Sequence, residues 1–375
     1  MSDKILLSSP HMSDEGYEMK FIKEAFDTNW IAPLGENVNK FEEEFASYIG
    51  VGSAAALSSG TAAIHLAIKA AGIKKKDIVF CQALTFAATC NPVVYENATL
   101  VFIDSDNETY NMDPKALKLA FEKYPEAKAV IVVNLYGNPA KLDEIKAICD
   151  ERNVVLIEDA AESLGSTYKG KMTGTFGKYG IFSFNGNKII TTSGGGMLVS
   201  NDKERIEKAR FWATQSREKA MHYEHKEIGY NYRLSNICAG IGRGQLKVID
   251  KRIEKKNEIF NKYKNELEKL DGIKMIEAIE DSRSNHWLSV VTWKKDAKRS
   301  PVDMINKLNE KNIEARRIWK PMQLQPVFAE CDFIKVENNS VSEDLFERGL
   351  CLPSDTKMTK EQQDFVISEL KKCLI

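Results

Sequence analysis

Residues 129–157 restrict the fold more than any other stretch. Ala129 to Asn134 is a continuous apolar run, Leu142, Ile145 and Ile148/Cys149 recur at helical spacing, and Val154 to Ile157 is a second apolar run. Strands without polar alternation are buried on both faces, and a helical crossover makes such strands parallel neighbours. The spacing predicts an α/β protein with a mainly parallel sheet. Ligands of such sheets sit at the carboxyl ends of the strands. There the chain carries Glu158-Asp159-Ala160-Ala161-Glu162. An acid at the end of a buried strand is costly without a cationic partner, unless it merely sits on a helix N-terminus. Asp159, deepest relative to the strand, is the candidate for a function.

A second stretch, Tyr179 to Ser200, holds one amine between two apolar runs. Ile181 to Phe184 reaches the polar turn Asn185-Gly186-Asn187. Lys188 follows, and small residues from Thr191 to Gly196 leave space around it before Met197 to Val199. A lysine that attacks a bound carbonyl needs such space and partial desolvation, whereas most loop lysines are simply solvated. Upstream, a short strand at Ala54 to Ser58 leads through Ser58-Ser59-Gly60-Thr61 into a helix at Ala62 to Ala71. A small-residue turn at a helix N-terminus offers free N–H groups to an anion, with Thr61 readable as a plain N-cap. Leu84-Thr85-Phe86 follows at the end of the strand Asp77 to Gln82, and Phe86 either stacks on a flat ring or belongs to the core. Trp30 and Ile31 lie in a Pro/Gly loop, as binding groups or as anchors of that loop.

Composition excludes other classes. A formal net charge of −1 gives no basic face for nucleic acid or a membrane surface. The apolar runs are too short for a membrane span, and the start, MSDKILLSSPHMSDE, has too short an apolar core for a signal peptide. Seven cysteines without a CxxC pair read as reduced core residues of a cytoplasmic protein. His222 and His225, three apart with no further ligand nearby, make a poor metal site, so none is expected. Gly240, Gly242 and Gly244 follow a helical stretch and point to close helix packing rather than a dinucleotide fingerprint. A long charged helix from Val248 to Leu270 connects an expected large domain, 1–247, to a smaller α+β domain, 248–375. In that second domain, His286 to Trp293 and Ile313 to Trp319 read as strands and Thr359 to Leu374 as a terminal helix.

A phosphate turn, a ring stacker, a strand-end acid and a loop lysine occur in the order of the fold-type I pyridoxal-phosphate enzymes. The stretches ALSSGTAAIHLA, LTFAAT, VVLIEDAAESLGS, SFNGNKIITTSGGGM, GYNYRLSN and EARRIWKPMQLQPVF resemble the sugar aminotransferases of the DegT/DnrJ/EryC1/StrS family. APLGENVNKFE, HYEHKEIGYNYRLSN, SRSNHWLS and GLCLPS carry a narrower resemblance to the PglE-type UDP-4-keto-6-deoxy-N-acetylglucosamine 4-aminotransferases of bacillosamine synthesis. The resemblance implies an aspartate aminotransferase-like large domain and roles for single residues. Lys188 would carry the cofactor, pyridoxal 5'-phosphate, and shuttle a proton. Asp159 would pair with the ring nitrogen, Phe86 stack on the ring, and Glu162 lie near its oxygen. Gly60, Thr61 and Ser183, with Ala62 beside them, would hold the phosphate, and Asn231 would reach it from the partner of a homodimer. Trp30, Ile31, His225, Arg317 and Trp319 would line the nucleotide-sugar pocket. L-glutamate would supply the amino group. A sugar dehydratase on the same scaffold would carry histidine in place of Lys188. A regulatory protein that only keeps the pocket would not respond to glutamate, and GDP- or dTDP-linked ketosugars are the alternative acceptors.

Overall fold

The computed structural model describes residues 4–294, 300–336 and 338–374; the first three residues read for a leader lie outside them. An eight-stranded sheet runs in the order Ser53–Leu57, Gly196–Ser200, Tyr179–Ser183, Val155–Asp159, Ala129–Val133, Ile78–Gln82, Thr99–Ile103 and Asp332–Ile334. Its pairs are parallel from Tyr179–Ser183 to Asp332–Ile334, and only Gly196–Ser200 runs against both neighbours. Alternate residues of one strand enter different cores. Val79, Cys81, Ile131 and Ile157 pack under the Gly60–Ala70 and Lys203–Ala213 helices. Phe80, Val130, Val132 and Leu156 pack under the Pro114–Lys123 and Leu142–Glu151 helices. This two-sided burial, at about 1.5–3 kcal/mol per large apolar side chain, is why the strands show no polar alternation.

A smaller antiparallel sheet orders Ile273–Met275, Ser289–Trp293, Gly349–Leu352 and Arg316–Arg317. The Ile249–Leu267 helix reaches both parts: Ile253 packs in a core of the large sheet, whereas Ile259, Phe260, Tyr263 and Leu267 pack on the small one. The chain does not divide cleanly at 247/248. Ile5 bridges Ile313 beside the small sheet, and Asp332–Ile334 returns to the edge of the large sheet.

Several expectations change in detail. His286 to Trp293 is strand only from Ser289, because His286 takes a left-handed φ of 46° and the preceding residues bond elsewhere. Of Ile313 to Trp319, only Arg316 and Arg317 join the small sheet, and Ile313 makes an isolated bridge to Ile5. The N-cap of the phosphate-turn helix is Ser59, whose Oγ accepts from Ala62 N, and Thr61 lies inside the first turn. Four cysteines, Cys81, Cys90, Cys149 and Cys351, are buried; Cys238, Cys331 and Cys373 are only partly so. The three glycines do serve close packing. A Cβ at Gly242 would meet the Phe41 ring at 2.6 Å, and one at Gly244 the Glu18 backbone nitrogen at 2.6 Å. Among the described residues no helix is long and apolar enough to cross a membrane.

Candidate active site

The carboxyl ends of Ser53–Leu57, Ile78–Gln82, Ala129–Val133, Val155–Asp159 and Tyr179–Ser183 open on one edge of the large sheet, together with the start of Gly196–Ser200. A cavity of about 470 Å³ lies there. Its wall brings together Gly60, Thr61, Phe86, Asp159, Glu162, Ser183, Lys188 and Trp319.

The anion end is a turn locked by glycines. The Gly60 and Thr61 N–H groups open the Gly60–Ala70 helix, where no preceding helical carbonyl can take them. A Cβ on Gly60 would stand 3.1 Å from Ser183 Cβ, and one on Gly196 would stand 2.5 Å from Gly60 N. Only bare backbone lets the three strand ends converge this closely. The result is a cradle of N–H and hydroxyl donors on a positive helix end, which fits a phosphate.

Asp159 lies at the other end, 5% exposed. It accepts from Thr89 Oγ1 at 2.7 Å and from Ala161 N at 3.1 Å. Burial pushes its carboxyl above the ordinary aspartate value, while those donors and the Lys188 charge pull it back. Among the described residues it makes no ion pair at contact distance. A buried acid held open in this way fits a protonated ring nitrogen. Lys188 follows the Asn185–Asn187 turn, and its N–H donates to the Asn185 carbonyl. Its Nζ lies 3.7 Å from Glu162 Oε1 and 4.1 Å from the centroid of the Trp287 ring. Glu162 is also buried, and its carboxyl is raised by burial against the pull of Lys188. Tyr136 N donates to its Oε2 at 2.7 Å.

One side of the cavity is aromatic. Trp287 and Trp319 each lie 6.3 Å from Tyr136, nearly parallel to it, and Phe86 leans on Trp319 at 5.2 Å. Phe86 is 53% exposed toward the opening, so it is no core residue. The cavity therefore offers a phosphate cradle, an acid for a ring nitrogen, an amine and flat walls. These residues fit pyridoxal phosphate.

Other candidates lie elsewhere. Ala62 is buried behind the turn, with its N–H on Ser59. Trp30 and Ile31 are exposed outside the cavity, the indole N–H on the Leu34 carbonyl. Asn231 and His225 sit on an exposed segment, bridged to Thr214 and Arg217. Arg317 turns away: its guanidinium stacks on Phe346 at 3.5 Å and donates to the Phe346 carbonyl. Arg316 lines the cavity instead, as alternation along a strand requires. Thr89, Tyr136, Trp287 and Arg316 were not among the candidates read from the sequence, and Ser59 figured there only as part of the turn. Thr89, Trp287 and Arg316 stand in stretches already recognised as distinctive, LTFAAT, SRSNHWLS and EARRIW. Tyr136, at a left-handed φ of 55°, left no local signal.

The comparisons agree with this chemistry. Residues 13–371 match the DegT/DnrJ/EryC1/StrS aminotransferase family. A Bacillus subtilis (strain 168) protein named "Putative pyridoxal phosphate-dependent aminotransferase EpsN" is 56% identical over 99% of this chain and 96% of its own length. The GDP-perosamine synthase of Escherichia coli O157:H7 is 36% identical over 95% of both chains. A Campylobacter jejuni (strain 81-176) UDP-4-amino-4,6-dideoxy-N-acetyl-beta-L-altrosamine transaminase is 42% identical over 63% of both. Among solved structures, the aminotransferase TlmJ of Streptoalloteichus hindustanus superposes with a TM-score of 0.89 at 26% identity, covering 99% of this chain and 98% of that one. The chain belongs to the DegT/DnrJ/EryC1/StrS aminotransferase family and is a pyridoxal phosphate-dependent sugar aminotransferase of fold type I.

Proposed function

We propose that the protein transfers the amino group of L-glutamate to C4 of a nucleotide-linked 4-keto-6-deoxy sugar, with UDP-2-acetamido-2,6-dideoxy-4-keto-hexose as the acceptor, in bacterial glycan synthesis of the N-acetylbacillosamine kind. The observation that carries the reaction type is the convergence of Lys188, Asp159 and the Gly60-Thr61 turn on one cavity. The UDP-sugar rests on the narrower sequence resemblance and on the similarity to the Campylobacter transaminase. A GDP-linked ketosugar is the second reading, favoured by the similarity to a GDP-perosamine synthase over almost the whole chain.

Pyridoxal phosphate, when bound, supplies the electron sink that makes the Cα proton of an amino acid removable. The chain supplies the rest. Gly60, Thr61 and Ser183 would hold the cofactor's phosphate, and Asp159 would face its ring nitrogen. Lys188 Nζ, as the free amine, would take the Cα proton of glutamate, and in the second half-reaction its ammonium would return a proton to C4 of the acceptor sugar. Trp287 and Tyr136 keep water from that amine. Trp319 and Arg316, at the mouth, orient the incoming sugar.

Asn231 lies outside its own cavity, and we assign it to the phosphate of a second subunit in a homodimer. Trp30, Ile31 and His225 then belong to the same shared face, and Arg317 to the sugar pocket through the neighbouring side cavity it lines.

Adding glutamate to the loaded enzyme is expected to bleach the cofactor's visible band. A UDP-, GDP- or dTDP-linked 4-ketosugar that is a true acceptor then restores it. A band indifferent to glutamate would mean a binding protein; restoration by the GDP sugar alone would replace the UDP reading.

A further inference from the structure

The Ile249–Leu267 helix carries two side chains that the chemistry above leaves unused. Lys256 is 2% exposed, and its Nζ stands 2.8 Å from the Trp287 carbonyl, 2.8 Å from the Ser354 carbonyl and 3.4 Å from Ser8 Oγ. One turn on, Phe260 stacks on His286, with centroids 3.7 Å and planes 11° apart. Both side chains grip one short strap, residues 285–287. The strap is tied on its other side as well. Asn285 Nδ2 donates to the Glu162 and Leu164 carbonyls at 3.0 and 2.9 Å. Trp287 N donates to Asn285 Oδ1, and Trp287 Nε1 donates to the Asn187 carbonyl at 2.7 Å. Between them His286 holds a left-handed φ of 46°, which a histidine keeps only where its surroundings over-determine it.

Beyond its N–H on Asn285 Oδ1 inside the strap, Trp287 therefore has two polar tethers that leave the strap at opposite ends. Its indole N–H is fixed next to Lys188, and its carbonyl is fixed to the helix through Lys256. With one tether gone, the ring can pivot about the other. A lysine is a costly tether, since burial pushes its amine down to about 7, with Asp355 pulling it up. What the residue offers is reach, a four-carbon stem from the helix to two carbonyls that have no other donor among the described residues.

We infer that Lys256 is a positioning residue for the transamination: from the helix it anchors the Trp287 carbonyl and so fixes the indole face that stands over Lys188. The inference rests on Lys188 as the reacting amine. It adds a residue, on the helix that packs against both sheets, that acts on the reaction through Trp287.

The test is a double-mutant cycle between Lys256→Met and Trp287→Ala in the cofactor-loaded enzyme, read by the visible circular dichroism of the bound cofactor and by the single-turnover rate with L-glutamate. Lys256→Met alone is expected to reduce the dichroic amplitude and to slow the single turnover about tenfold, with the KM for glutamate within about twofold. In the Trp287→Ala background the same substitution is expected to change both readouts by less than about twofold. Equal losses in both backgrounds, or no change in either readout for Lys256→Met alone, would overturn the inference. Should Lys256→Met not fold, Phe260→Leu loosens the same strap through His286 and is read by the same cycle: a loss that vanishes in the Trp287→Ala background supports the inference, and an equal loss in both overturns it. Borohydride reduction of the loaded wild-type enzyme, followed by peptide mapping, asks separately whether the cofactor sits on Lys188. An unlabelled Lys188 defeats the parent reading, whereas a labelled Lys188 with an additive cycle defeats only this one.

Discussion

Glu158 and Asp159 are adjacent carboxylates with opposite fates. Side chains alternate along a strand, so one acid points to each face. Glu158 is fully buried and accepts from the Gly174, Phe176 and Gly177 amides, a structural role that organises the loop beneath the sheet. Asp159 faces the cavity, and among the described residues its carboxylate has two donors. Burial raises its pKa, so relative to the unfolded chain the fold shifts the carboxyl toward its protonated form. Such a contribution to stability is present at low pH and lost as pH rises through the folded-state value. Asp159→Asn is therefore expected to stabilise the cofactor-free protein at pH 8, with the gain shrinking below pH 4, as urea titrations would show. In the loaded enzyme the same change would remove the carboxylate that we propose faces the ring nitrogen. A loss in kcat of at least about a hundredfold is expected, with melting unimpaired. Thr89→Val removes one hydrogen bond to a charged acceptor and is expected to weaken cofactor binding by about tenfold, measured by fluorescence titration of the cofactor-free protein. At this scale the sequence pointed to Asp159 and Lys188, which line one cavity, because depth on an apolar strand and isolation in a small-residue loop are local signals. Thr89, Trp287 and Tyr136 were hidden, because their contacts with the site span 70, 99 and 26 residues of chain.

Elements carry the geometry between those residues. The phosphate turn works because Gly196 presses against it from the neighbouring strand. Ser59→Ala is expected to cost about 1 kcal/mol of stability through the lost cap. Gly196→Ala, whose Cβ would stand 2.4 Å from the Ser59 carbonyl carbon, is expected to displace the turn and lose cofactor affinity first. Isothermal titration separates the two. The strap at residues 285–287 gives a pH signature. Burial against Phe260 depresses His286 to about 3, so it is neutral in the fold and takes up a proton on unfolding below the ordinary histidine value. Stability is then lost as pH falls from about 6.5 toward 3, at up to about 1.4 kcal/mol per pH unit. His286→Asn, which tolerates the left-handed backbone, is expected to flatten that acid limb in denaturant titrations. Apolar runs foretold most large-sheet strands to within a residue or two. They misjudged the small sheet, where strand length is set by pairing with Gly349–Leu352 and by the left-handed His286, neither of which leaves a periodic trace.

The whole molecule joins a sheet whose strand ends form the cavity to a smaller sheet whose helix and strap close one wall of it. The proposed dimer makes that arrangement testable without a partner structure. If Asn231 serves the neighbouring subunit, mixing Lys188→Ala with Asn231→Ala subunits places both defects in one site of each mixed dimer and leaves the other site whole. About a quarter of wild-type activity is expected to return after random exchange. No recovery from two inactive parents that do exchange would put Asn231 outside a shared site. The family and the cofactor pocket were legible because their motifs are short and ordered along the chain. Substrate choice was not, because Arg316, Trp319 and the exposed loops reach the pocket mouth from distant segments. The proposal on which the rest depends is that Lys188 moves an amino group from glutamate to a nucleotide ketosugar, and nitrogen itself can be followed. The loaded enzyme is given ¹⁵N-glutamate and UDP-2-acetamido-2,6-dideoxy-4-keto-hexose, and the sugar is examined by mass spectrometry. The expected result is ¹⁵N in the sugar with wild-type protein and none with Lys188→Ala at equal cofactor occupancy. Label transfer by Lys188→Ala at the wild-type rate would contradict the proposal.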